Sequence, residues 1–331
     1  MKKWLALMAV VVLVAAGAAA GGAWWLNQPL DLATESVEVS VESGTPPREV
    51  AQAWVEAGVE TSPRMLYEWF RWSGQSRKIR AGSYEIGTGT TPRALLRKMV
   101  RGDETLATVR LIEGWTFRQF RTELSKAESL KPTTAAFTDA QIMEAIGALP
   151  GTLPEGRFYP DTYAYSKGSS DLAVFKRAYR AMQARVQAAW HERAPDTPLR
   201  SADDALVLAS IVEKETGVGA DRGRVAGVFV NRLRRGMPLQ TDPTVIYGLG
   251  PSFDGNLRKR DLQADTPYNT YTRTGLPPTA IAMPGKASLI AAVKPEPTKA
   301  LYFVSRGDGS SEFSENLNDH NRAVNRYQRG K

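Results

Sequence analysis

The 331-residue chain contains no cysteine. That excludes structural disulfides and thiolate metal sites, and it leaves the redox compartment open. Histidine is scarce too: His191 and His320 are the only two, far apart in sequence. A His-rich metal site or a Ser-His-Asp hydrolase has little to be built from. No Gly-rich phosphate loop and no G-x-S-x-G elbow occurs. Repeats and low-complexity segments are missing apart from an Ala-rich N-terminus. Acid–base chemistry, if the chain performs any, falls mainly to carboxylates.

Hydrophobic residues make up 42% and charged residues 24%, the balance of a globular chain long enough for two domains. Met1-Lys2-Lys3 is basic, and no charged residue follows from Trp4 to Leu30. Trp4 to Leu26 is almost wholly apolar and would span about 35 Å as a helix, enough to cross a bilayer. Trp4 at one end and Trp24-Trp25 at the other suit the two interfaces, and Lys2 and Lys3 predict a cytoplasmic N-terminus with the remainder exported. A cleaved signal peptide is the competing reading, with Ala18-Ala19-Ala20 as cleavage site; the length of the apolar run favours an uncleaved anchor. The formal net charge is +8, and still +6 once Lys2 and Lys3 are set aside. The basic residues are dispersed. They fit attraction to an anionic polymer or membrane surface better than nucleic-acid binding.

Residues 35–42 alternate as a strand, 48–59 and 64–73 read as helices, 78–86 as a strand and 94–102 as a helix. Ser62-Pro63 and Thr91-Pro92 are helix starts. This β-α-α-β-α order describes a small module. A strand at 105–112 and a helix from Thr116 follow. Residues 125–148 read as mostly helical, interrupted at Pro132. Residues 150–163, rich in Pro, Gly and aromatics, read as an ordered loop. Helices are then expected over 171–193, around 206–216 and over 224–236.

The segment Leu208 to Thr216, LASIVEKET, carries two glutamates on one predicted helix with Ser201 and Asp203 as candidate N-caps. At 100° per residue from Leu206, the apolar positions Val207, Leu208, Ile211 and Val212 fall at about 100°, 200°, 140° and 240°. Glu215 falls at about 180°, on the apolar face, and Glu213 at about 340°, on the opposite side. An acid on an apolar face loses hydration in its charged form, so its pKa rises and it can donate a proton near neutral pH. The competing reading is an ion-paired glutamate at a helix end, with Gly217 and Gly219 stopping the helix. Glu213 is the solvent-side neighbour, with an ion-pairing or capping role.

Further on, Gln240, Thr241 and Asp242 precede Pro243, either as groove residues or simply as the cap of a helix in which Asp242 is N-cap and Pro243 the first residue. The non-periodic stretch from Asp265 to Gly285 holds Tyr268, Asn269 and Tyr271. Aromatic faces stack on sugar rings and amides bond hydroxyls, so it suits a glycan groove; a surface loop ordered by its own aromatics is the alternative. A glycoside hydrolase commonly uses two carboxylates, and Glu155, Asp161 or Asp242 could supply the second.

The strings ASIVEKET, VFVNRLRRGMPLQTDPTVIYGLG, YNTYTRTGLPP and EGRFYPDTY together resemble the YceG-like family of endolytic murein transglycosylases, over nearly the whole chain. The resemblance implies an α+β protein: an N-terminal transmembrane helix with its cytoplasmic tip (1–27), a small LysM-like βααβ module (28–104) and a larger mixed α/β catalytic domain (105–331). It implies an inner-membrane protein whose catalytic domain faces the periplasm. The expected activity is cleavage of the MurNAc–GlcNAc bond inside glycan strands, leaving 1,6-anhydro-MurNAc ends and terminating nascent strands. Glu215 matches the family's catalytic acid. Gln240, Thr241, Asp242, Tyr268, Asn269, Tyr271 and Glu155 are expected to bind substrate. No metal or organic cofactor is needed, and peptidoglycan synthases are the expected partners. A hydrolase of the same glycan and a non-catalytic, membrane-tethered wall-binding scaffold are the rival functions.

Overall fold

The computed structural model describes residues 2–42, 44–217 and 219–330. Met1 and the side chains of Lys2 and Lys3, on which the expected orientation rests, lie outside the described residues. The chain divides into two compact units. Unit 1 holds the residues through Ala107 with 128–131 and 164–169; unit 2 holds the rest.

Unit 1 opens with helix α1 (Lys2–Trp25). Its segment Leu7–Trp25 is long and apolar enough to cross a membrane, and none of it is buried. Strand β1 (Ser36–Val41) follows, then α2 (Pro47–Glu56), α3 (Pro63–Trp72), β2 (Gly82–Gly87) and α4 (Pro92–Arg101). The alternation in β1 sends Val37, Val39 and Val41 inward, and β2 pairs antiparallel with Val37 opposite Ile86 and Val39 opposite Tyr84. These residues close a core with Trp54, Leu66, Phe70, Leu95 and Met99. Each of the three helices after β1 begins with proline, whose missing N–H is not needed there. Thr91 caps α4 by accepting the Ala94 N–H, and Gly102 ends it at φ +74°, a conformation glycine adopts without strain. The expected strand at 78–86 begins only at Gly82, because Ser76–Lys78 form a 3-10 turn.

A second ribbon pairs β3 (Leu106–Arg110) with β4 (Thr162–Ser166). Strand β4 follows directly on the Pro-rich loop and was not legible in it. Between the two strands come α5 (Phe117–Lys126) and α6 (Asp139–Ala145), each opened by a Thr/Gln capping box. The interruption expected at Pro132 is present but longer than read: α5 stops at Lys126 and α6 starts at Asp139. Ser129 sits at φ +57°. Asp171 fastens the chain after Pro132, accepting the Thr134 hydroxyl at 2.6 Å and its N–H at 3.2 Å. Side chain-to-backbone bonds of this kind compete with a helix.

Unit 2 continues with α7 (Asp171–His191), α8 (Ala202–Glu215), α9 (Arg222–Arg234), α10 (Asp242–Leu249), α11 (Lys259–Gln263) and α12 (Lys286–Val293). The antiparallel hairpin β5 (Tyr302–Ser305) and β6 (Ser311–Ser314) follows, then α13 (Leu317–Tyr327). Helix α8 lies at the centre of the core, with α7, α9 and α12 against it. Leu206, Leu208, Ala209, Ser210, Ile211 and Val212 are each at most 2% exposed. From Leu208 to Val212 these residues cover every direction around the helix, so α8 has no solvent face there. The Ser210 hydroxyl donates to the Val207 carbonyl and accepts the Ile281 N–H, tying the loop before α12 to α8.

Candidate active site

Glu215 is the last residue of α8, where the helix leaves the core and reaches a cleft of about 680 Å³. Thr216 closes the helix, its N–H and hydroxyl both donating to the Val212 carbonyl. The cleft is also lined by Arg232, Gln240, Asp242, Tyr271, Tyr302 and His320.

A turn after α9 brings the second wall to Glu215. Gln240 sits at φ +52°, a strained conformation for a side chain with Cβ. Its N–H donates to the Thr270 carbonyl, and the Thr241 N–H donates to the Thr270 hydroxyl. Thr241 is the N-cap of α10, yet its hydroxyl does not cap the helix. It donates to Glu215 Oε1 instead. Asp242 is the first helical residue and not the N-cap expected from sequence; its exposed carboxylate accepts the Tyr271 hydroxyl at 2.6 Å.

Burial raises the Glu215 pKa above its usual value; the nearby Asp242 charge adds to the rise, and the Thr241 hydroxyl opposes it. The Tyr271 hydroxyl is pushed up by burial and by its bond to Asp242. Arg232 is buried and has no carboxylate within ion-pair distance among the described residues. Its guanidinium donates to the carbonyls of Leu301, Pro238 and Leu239 and to Gln240 Oε1, and lies 4.9 Å from the Tyr302 ring centroid. The arrangement holds a desolvated carboxyl beside a rigid polar wall, which is what proton transfer to a bound ether oxygen requires.

The remaining expected site residues lie elsewhere. Asn269 is 1% exposed, its amide donating to the carbonyls of Asp261, Leu262 and Ala264 while its oxygen accepts the Tyr271 N–H. It orders the loop that carries Tyr271 and has no free hydrogen-bonding group for a sugar. The Tyr268 hydroxyl bonds Thr279, and its ring packs edge-on against Tyr247 at 4.9 Å. Glu155 lines a different cleft, of about 820 Å³, with Arg157, Leu206, Val207 and Thr279. Its carboxylate accepts the Phe117 N–H at the start of α5 and the Tyr247 hydroxyl. Burial nevertheless lifts its pKa to about 7. Asp161 is exposed and accepts the N–H of Thr162. Of the candidate second carboxylates, only Asp242 shares the cleft with Glu215.

Glu213 is not on the solvent side, as expected from the wheel. Its side chain is 8% exposed, and it accepts the Gly285 N–H and the Ser288 hydroxyl at the start of α12, with Arg222 at 4.0 Å. Its carboxylate ties the start of α12 to α8 and pairs with Arg222; the expected exposure is wrong, because α12 covers that side of α8. Arg232, Tyr302 and His320 were missed. Arg232 reads in sequence like its neighbours Arg234 and Arg235, and its bond to Leu301 spans 69 residues.

A model of the YceG-like family matches residues 39–326. An endolytic murein transglycosylase of Bacillus subtilis (strain 168) is 30% identical over 309 residues, covering 88% of this chain and 85% of that protein. One of Streptococcus pneumoniae (serotype 2, strain D39) is 25% identical over 331 residues, with 89% of this chain matched; this chain spans 59% of that relative's length. The crystal structure of a putative YceG-like protein from Listeria monocytogenes, at 2.6 Å, is similar with a TM-score of 0.54 and 26% identity. It matches 87% of this chain and 98% of that one.

Proposed function

The chain belongs to the YceG-like family, and on that premise we propose that it is an endolytic lytic transglycosylase of peptidoglycan with Glu215 as its catalytic acid and base. The observation that carries the assignment of Glu215 is its setting: a desolvated carboxyl at the end of α8, open to a cleft and held by the Thr241 hydroxyl. The protonated acid gives its proton to the glycosidic oxygen as the bond from that oxygen to C1 of MurNAc breaks. The carboxylate so formed takes the proton of the same sugar's C6 hydroxyl, whose oxygen bonds C1. No water is consumed, and the product carries a 1,6-anhydro-MurNAc end. The nucleophile belongs to the substrate, so one carboxyl suffices. Thr241 occupies Oε1 and leaves Oε2 for the sugar. Asp242 disfavours early loss of the acid's proton, and its negative charge suits a developing oxocarbenium ion.

The same reading makes residues 1–27 a membrane anchor with the N-terminus cytoplasmic, 28–104 a LysM-like wall-binding module and 105–331 the periplasmic catalytic domain. Family membership and the apolar α1 support it. So anchored, the enzyme acts on strands near the inner membrane, terminates nascent glycan and works beside peptidoglycan synthases. The test is digestion of purified glycan strands by wild type and Glu215→Gln, with products weighed by mass spectrometry. Wild type is expected to release ends lighter by one water than reducing ends, and the variant to lose about 10²–10⁴ in rate. Ends at the full reducing mass would make the protein a hydrolase; an undiminished variant would remove Glu215 from the chemistry.

A further inference from the structure

Unit 1 carries an apolar surface that its own core leaves open. Helix α3 has two apolar stripes. Leu66 and Phe70, fully buried, face the core. Met65, Trp69 and Trp72 recur at i, i+4 and i+7 and lie roughly 110° around the helix from that pair. Met65 is 47% and Trp72 78% exposed. With Gly22, Trp25 and Leu26 at the end of α1 they line a groove of about 370 Å³, and Trp24 beside Trp25 is also largely exposed.

The polar edges of these rings are accounted for. Trp69 Nε1–H donates to the Pro92 carbonyl at 3.1 Å and Trp72 Nε1–H to the Glu68 carboxylate at 3.2 Å. The Arg71 guanidinium lies 5.6 Å from the Trp72 ring centroid and that of Arg93 5.9 Å from Trp69. Apolar ring faces edged by cations are the chemistry of an interfacial belt, where the rings enter the acyl boundary and the charges stay with the headgroups. Large apolar rings exposed side by side and edged by charge suit an interaction surface. Its partner follows from continuity: the last turn of α1 forms one wall of the groove, so the surface begins where the apolar helix ends.

We propose that the Met65–Trp69–Trp72 face of α3 lies on the phospholipid bilayer that α1 crosses, with its rings among the lipid acyl chains. Unit 1 is then held by two elements, a span and an interfacial face, and is set flat on the membrane instead of hanging from a tether. This rests on the membrane-anchored reading above.

The chain has no cysteine, so a single introduced one gives a unique label. Full-length Met65→Cys, Trp72→Cys, Leu13→Cys and Arg180→Cys proteins, spin-labelled, are reconstituted at high lipid-to-protein ratio into vesicles of phosphatidylethanolamine and phosphatidylglycerol. Collision with dissolved oxygen is compared with collision with a water-soluble nickel complex. Labels at 65 and 72 are expected to favour oxygen, as the label at Leu13 in the span does, while the label at Arg180 on α7 favours nickel. If Leu13 favours oxygen but 65 and 72 behave like 180, the face is in water and the proposal is overturned while the anchor stands. Spin–spin broadening at 65 and 72 would instead mean that a second copy covers the face, which also overturns it. Nickel access at Leu13 would remove the anchor and the proposal together.

Discussion

At the residue scale, the candidate acid Glu215 is held by the Thr241 hydroxyl, which donates to its Oε1 in place of capping α10. The helical wheel separates Glu215 from Glu213 by an apolar and a polar side, but from Leu208 to Val212 α8 is buried in every direction. What sets Glu215 apart is that it is the last helical residue and opens onto the cleft. Thr241 is the residue that fixes it, and the diverted cap hydroxyl makes its role testable. The hydroxyl bond stabilises the carboxylate, so Thr241→Val should raise the Glu215 pKa further. A general acid acts in its protonated form, so the alkaline limb of the kcat profile should move to higher pH while the maximum falls roughly 10-fold or more from lost positioning. A limb that moves to lower pH would contradict this role. Glu155 carries a second pH effect, on stability. Its folded pKa of about 7 exceeds its ordinary value of 4.5. The protonated acid is tolerated at low pH; between about 4.5 and about 7 the unfolded chain ionises first, and stability is lost. The full loss above pH 7 is on the order of 3 kcal/mol. Glu155→Gln should therefore melt increasingly above wild type as pH rises from 5 to 8. A difference in melting temperature independent of pH would refute the assignment.

At the element scale, the module order β1-α2-α3-β2-α4 was legible because its elements carry local signals: alternation in β1 and proline at the starts of α3 and α4. The break within 127–138 was legible from Pro132, but its length was not: Asp171, more than 30 residues away, holds Thr134 after the proline. Asn269 was misread in the same way: its amide looks available in sequence and is spent on three carbonyls in the fold. Contacts of that reach leave no periodic trace. Glu213 makes the corresponding tie between α8 and α12. Replacing it with Ala leaves the Gly285 N–H and the Ser288 hydroxyl without their acceptor in a covered position, and should cost about 1–3 kcal/mol in denaturant unfolding. Well below its melting temperature the Glu213→Ala protein should keep its cleavage activity, since its carboxylate serves α12 and does not line the Glu215 cleft. Activity lost in proportion at low temperature would show that the chemistry depends on Glu213 as well.

At the scale of the whole molecule, all the residues lining the Glu215 cleft belong to unit 2, and α1 belongs to unit 1. On the proposed function, chemistry and tethering belong to different parts of the chain, and they should separate in experiment. A protein beginning at Gln28 lacks the apolar helix but none of the cleft. It should move from the membrane pellet to the soluble fraction. Its turnover of soluble, uncrosslinked glycan should match the full-length protein within about twofold, because the removed helix supplies no residue to the cleft. Its turnover of glycan held at a bilayer surface should fall much further. As a membrane anchor, α1 would convert encounter with such strands into a local event at high effective concentration, and that advantage would disappear with the tether. The measurement is the ratio of the two rates. A truncated protein that loses both activities equally would mean that unit 1 shapes the cleft, and one that loses neither would mean that the anchor does not bring enzyme and strand together.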